Sequence, residues 1–341
     1  MKKINIHNRF SPLKEVLLGD VHFGALRSVE GRDKDKVEFV FKDTIEDLDV
    51  IQTAFEVFGV EVHRPTTDLN YDISMNTPEW SWEGLKIPLS PRDILLTAGD
   101  TIIETANVER NRLFERWAWK DVLLEYFDAG SKWISMPLPI LSDKSYDLTD
   151  PDEYISPYEP LLDGANIIQY GMDIFIAQKI TCNSRGINWI KDFFGEEFRY
   201  HIVGDHIKGH LDTHFNILRP GLIITYHPEE NLPDYFKGWD VININPEFDA
   251  EISKKQTLIN DNFQDDDFDN TVVAVNVLPL DENHIMTYDH MKDQKYFTDQ
   301  LKKYNVEPVW VPFRHAHFFN QGIHCITVDM VREGGLEDYA S

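Results

Sequence analysis

One unit, a hairpin followed by a helix and then a short strand, recurs along these 341 residues, and that recurrence limits the fold more than any other feature. Apolar runs at 94–97 and 101–104 flank Ala98-Gly99-Asp100, and runs at 215–218 and 222–225 flank Arg219-Pro220-Gly221. Residues 166–170 with 173–177, and 272–278 with 284–288, repeat the arrangement, which predicts antiparallel hairpins. Short β-rich segments follow the helical stretches at 60–65, 132–137, 198–203, 239–244 and 308–312. Val37, Phe41, Ile45, Leu48, Ile51 and Phe55 fall three or four apart, as one helix face requires; Leu113, Trp117, Val122 and Tyr126 do so less regularly. Gly59 and Gly130 stand where helix caps favour a left-handed residue.

The unit returns at intervals of roughly 70 residues with one shorter copy, so the chain accommodates five. The opening run 14–19 and the closing run 325–331 have no hairpin partner nearby, and pairing them would close a ring. Radial repetition of small sheets leaves few exposed edges. The expected fold is therefore α/β, a five-bladed pseudosymmetric α/β propeller, with residues 1–341 forming a single domain. A doubly wound parallel sheet fits less well, because hairpins recur between the helices and no glycine fingerprint for dinucleotides or phosphates is present.

Composition narrows the function. The chain is 42% apolar and 27% charged, enough for a sizeable core, and its formal net charge is −26. Apart from Asp265-Asp266-Asp267 the acids are dispersed, so the surface repels phosphate backbones and anionic membranes. Neither nucleic acid nor membrane is an expected partner. No apolar run approaches the roughly 20 residues of a bilayer span, and no signal-like leader is seen. Two cysteines suggest a reducing compartment, and the expected location is the cytoplasm.

Titratable residues stand at the starts of the repeats. Arg92-Asp93 opens one hairpin, Asp163-Gly164-Ala165-Asn166 the next, Gly209-His210-Leu211-Asp212 the third, and Cys325 the closing strand, behind Gly322 and beside His324. Each also fits a plainer role: Asp93 and Asp163 as turn or cap residues, His210 as a surface residue, Cys325 as a small buried hydrophobe. His206, His210 and His214 stand four apart, but Gly209 and the β-like residues 212–216 argue against a shared helix face for a metal. Taken together, one thiol, one imidazole and several carboxylates suit chemistry on a planar cation. Carboxylates bind guanidinium through paired hydrogen bonds, a thiolate attacks its central carbon, and an imidazole moves the proton.

Residues 8–16, 91–95 with 102–104, 110–115, 159–166, 210–216 and 322–325, in that order, resemble the amidinotransferases of the guanidino-group modifying (pentein) superfamily, most of all the arginine:glycine amidinotransferases. The resemblance spans nearly the whole chain and implies ββαβ modules. It implies Cys325 as the amidino-accepting nucleophile, His210 as general acid/base and Asp163 as its paired acid. Asp93 and Asp212 resemble the carboxylates that hold the guanidinium, and Asp269-Asn270 fall near the paired serines of the glycine-using relatives. It further implies no metal or organic cofactor, small-molecule substrates (arginine and an amine acceptor, glycine first) and a homodimer among the expected states. Two departures bear on substrate choice. Pro228 is followed by Glu229 and Glu230 where those relatives have an arginine, and the loop before the cysteine carries Phe318, Phe319, Asn320 and Gln321. An arginine hydrolase with water as acceptor and a non-catalytic propeller are the competing readings.

Overall fold

A computed structural model describes residues 2–24, 34–147, 149, 154–204, 206–207, 209–245, 247 and 273–340. Asp269 and Asn270 lie outside the described residues. Five three-stranded sheets share one plan: an antiparallel pair, then a third strand parallel to the second. The first sheet joins Thr327–Arg332 to Leu13–Leu18 and then Glu61–His63, so the expected pairing of the opening and closing runs is present. The second holds Leu95–Ala98, Thr101–Glu104 and Lys132–Ser135, and the third Ile167–Tyr170, Asp173–Ala177 and Arg199–Val203. The fourth holds Phe215–Arg219, Leu222–Thr225 and Asp240–Asn243, and the fifth Leu278–Pro279, His284–Tyr288 and Glu307–Val311.

Parallel strands need a crossover, usually a helix. Lys34–Val57, Lys120–Asp128, Ser184–Phe194 and Lys295–Lys303 supply it in four modules. The fourth module departs from the repeat: its crossover is two single 3-10 turns, Glu229–Asn231 and Asp234–Phe236. Pro228 and Pro233 precede these turns, and a proline within so short a crossover removes an amide donor and blocks a continuous helix. Two further expectations are corrected. Residues 273–275 form a 3-10 turn and the strand there is only Leu278–Pro279, while residues 110–112 and 115–119 are 3-10 turns ahead of the α-helix.

The antiparallel pair of each sheet is largely buried and the third strand is the more exposed; Ile174, Phe175, Ile176 and Ala177 are fully enclosed. Helix Lys34–Val57 turns Val37, Phe41, Leu48, Ile51 and Phe55 into the core, each large side chain contributing about 1.5–3 kcal/mol by burial. Gly59 and Gly130 have positive φ, at 73° and 93°, and let the chain leave the two helices they follow. Among the described residues no helix is long and apolar enough to cross a membrane.

Each sheet's first strand is preceded by a short turn. These turns are Pro91–Ile94, Gly164–Asn166, Leu211–Thr213, Val273–Val275 and the segment Gly322 to Cys325. Side chains tie one turn to another: Arg92 Nε donates to the His324 carbonyl (2.7 Å), Asn166 Nδ2 to that of Gly209 (2.9 Å), and Asn216 Nδ2 to that of Val275 (2.9 Å). The thiol, the two imidazoles and the three aspartates described next sit on or beside these turns.

Candidate active site

Asp93, Asp163, His210, Asp212 and Cys325 come from four separate turns and form two neighbouring contact groups whose charges act on each other. His210 Nε2 lies 3.0 Å from Asp163 Oδ2, and its Nδ1 lies 3.5 Å from Asp93 Oδ1. Asp212 Oδ2 stands 3.6 Å from the Cys325 sulfur and 2.7 Å from His324 Nδ1. Cys325 itself sits in the turn before the closing strand rather than within it, since the strand begins at Thr327. That position frees the thiol from the ladder and leaves it 1% exposed.

The supporting contacts were not expected from the sequence. Asn276 Nδ2 donates to the Cys325 sulfur (3.1 Å) and to the Asp212 carbonyl (3.2 Å), while its Oδ1 accepts from the Cys325 amide (3.0 Å). Gly322 is required by this contact, because a Cβ there would lie 2.2 Å from Asn276 Oδ1. Asn107 Nδ2 donates to Asp163 Oδ1 (2.7 Å), and Arg112 donates to Asp93 Oδ2 while also pairing with Glu115. Arg92 bonds Asp329, which Arg332 also holds, so positive charge lies beneath the His324 backbone. Asn276 stands just ahead of the first strand of the fifth sheet, as Asp93 does ahead of the second. That equivalence was the one sequence signal able to reveal it.

Charge is distributed unevenly. Burial would lower the His210 pKa, but Asp93 and Asp163 outweigh it and bring the group up to about 9, so the imidazole is cationic at neutral pH. Burial and then the Arg92 charge bring His324 down to about 4 despite its bond to Asp212. Burial would raise Asp212, yet the His324 bond and nearby positive charge hold it at about 2. The Cys325 thiol is pushed well above its usual value by burial and then by the Asp212 and Asp93 carboxylates. Two carboxylate oxygens, Asp93 Oδ1 and Asp212 Oδ1, are buried with no hydrogen bond. Each such atom costs about 1–3 kcal/mol or more, which a bound donor would relieve.

The three spaced histidines do not share a site. His210 belongs to this cluster, whereas His214 Nδ1 meets His227 Nε2 at 2.8 Å. Glu229 and Glu230 are exposed on their turn, and Phe318 and Phe319 pack partly buried against the core.

A site of one thiol, one cationic imidazole and three aspartates, mounted on ββαβ modules, defines an enzyme type that comparison with known proteins identifies. No protein-family model matches the chain. The chain is 30% identical over 363 residues to inosamine-phosphate amidinotransferase 1 of Streptomyces griseus, with 99% of both covered. It is 31% identical over 308 residues to the L-arginine:L-lysine amidinotransferase of Pseudomonas savastanoi pv. phaseolicola, covering 86% of this chain and 80% of that one. The solved structure of SxtG, an amidinotransferase of Microseira wollei in the saxitoxin biosynthetic pathway, superposes with a TM-score of 0.85 at 29% identity, over 98% and 99% of the two chains. The chain belongs to the amidinotransferase family.

Proposed function

We propose that this protein transfers the amidino group of arginine to a primary amine through an amidino-cysteine on Cys325, releasing ornithine. The observation that carries the reading is the pair of buried carboxylate oxygens without a hydrogen bond, Asp212 Oδ1 and Asp93 Oδ1 (the latter in ion-pair range of His210 Nδ1), beside a buried thiol. A guanidinium supplies donors of the right planarity to both acids. Its positive charge also offsets the carboxylates that, after burial, hold the thiol protonated, so the thiol releases its proton to solvent as the substrate binds and the thiolate becomes the nucleophile. Sulfur attacks the guanidinium carbon. The His210 imidazolium then protonates the departing ornithine nitrogen, and the resulting imidazole takes a proton from the incoming amine. Asp163 and Asp93 keep that imidazole basic and oriented.

We read the five sheets as blades of one five-bladed ring and residues 1–341 as a single domain. Glycine remains the first acceptor to test, beside L-lysine and an aminocyclitol phosphate, which the relatives' names suggest. The experiment is incubation with arginine and each amine, with products read by mass. Ornithine together with a new guanidino compound is the expected result, absent with Cys325→Ala. Citrulline with ammonia, or ornithine with urea, would instead make water the acceptor and overturn the transferase reading.

A further inference from the structure

Glu15 and Glu61 face each other in register on neighbouring parallel strands of the first sheet. Like charges so placed repel, and burial makes the repulsion worse; Glu15 is 1% exposed. His63 lies two residues beyond Glu61 and therefore on the same face. Its Nε2 stands 3.6 Å from Glu15 Oε2 and 3.8 Å from Glu61 Oε1, and makes no hydrogen bond although the side chain is nine-tenths buried. Ligand atoms held by one ion through bonds of about 2.1 Å stand up to about 4.2 Å apart, so these two separations suit a shared ion. One imidazole with two carboxylates is a donor set of intermediate hardness, fitting a first-row divalent metal better than calcium or magnesium. The carboxylate of Glu15 is already oriented, as metal-binding carboxylates are, by the Tyr126 hydroxyl (2.8 Å) and the Lys2 amide (3.0 Å).

We propose that Glu15, Glu61 and His63 bind one first-row divalent transition metal ion, such as Zn2+, between the first two strands laid down by the chain. Exposed Glu61 leaves a path for entry and a position for water. The ion neutralises the facing carboxylates and clamps edge strand Glu61–His63 to Leu13–Leu18, the strand that also pairs with the closing strand. Its role is structural, since none of its ligands belongs to the Cys325 cluster.

Chelator-treated full-length protein is titrated with zinc chloride, following thermal denaturation and binding by calorimetry. The expected result is saturable one-to-one binding with a Tm raised by several degrees, both lost in Glu61→Gln and in His63→Gln. Tyr126→Phe, which removes only an orienting hydroxyl, is expected to weaken zinc binding roughly tenfold or more. No saturable binding to the native chain, as when a histidinium alone bridges the two acids, overturns the proposal. So does a Tm shift that survives unchanged in both ligand variants.

Discussion

Two imidazoles in this site each bond a buried aspartate, yet they reach opposite charge states. His210 lies between Asp163 and Asp93, at 3.0 and 3.5 Å, and remains protonated up to about pH 9. His324 bonds Asp212 at 2.7 Å, a shorter contact, yet is neutral above about pH 4. Burial opposes the charged form in both. At His210 the Asp93 and Asp163 carboxylates overcome it, whereas at His324 the Arg92 charge adds to burial and the two together outweigh Asp212 and Asp329. A histidine–aspartate bond alone therefore does not assign a role; the summed charge around the ring does. His210 has a proton to give, and His324 uses its neutral Nδ1–H to fix Asp212 beside the sulfur.

Replacing the cationic ring breaks the comparison most severely. His210→Gln is expected to lower kcat by about 10²–10⁴-fold, the usual span for a lost general acid–base. Steady-state kinetics on the folded variant check this, and a loss below tenfold would remove His210 from the proton path. Asp163→Asn takes away one of the two carboxylates, so the His210 pKa falls toward its ordinary 6.5. The alkaline limb of kcat, expected near pH 9 in the native enzyme, should move toward neutrality in a pH–rate profile. His324→Gln preserves a donor for Asp212 and is expected to change kcat by less than about tenfold, leaving the alkaline limb where it was.

The mildest effect is on stability, and the two rings act at opposite ends of the pH range. His210 has a raised pKa in the fold, so its contribution is complete below 6.5 and disappears as pH rises through about 9. His324 has a lowered pKa, so the fold loses stability as pH falls from 6.5 to about 4, where the unfolded chain takes up the proton first. Urea denaturation across pH 4–7 should show an acid-side decline that is smaller in His324→Gln, by on the order of 1–3 kcal/mol.

Much of this was legible in the sequence because the repeat places chemistry at equivalent points. Asp93, Asp163, His210, Asp212 and Cys325 all stand ahead of the first strand of a sheet, and the hairpin pattern marked those starts. Asn276 escaped notice because it lies in the apolar run 272–278, which reads as a strand. Its task depends on Gly322 and Cys325, more than forty residues away in sequence, and no local pattern reports such a contact. Arg112 was equally opaque, since its partner Asp93 is set by tertiary packing. His324 was visible beside the cysteine, but its neutrality depends on its burial and then on Arg92, from the turn ahead of the second sheet. The fourth crossover misled in another way: two prolines in a short segment forbade the helix that the repeat demanded.

The most direct test of sulfur as the group that carries the amidino unit is peptide mass mapping after incubation with arginine, with any acceptor amine withheld and the reaction quenched in acid. One added amidino group on the peptide containing Cys325, lost when an amine is supplied, is the predicted result. An unmodified Cys325 peptide while ornithine accumulates, or the added mass on another residue, would contradict it.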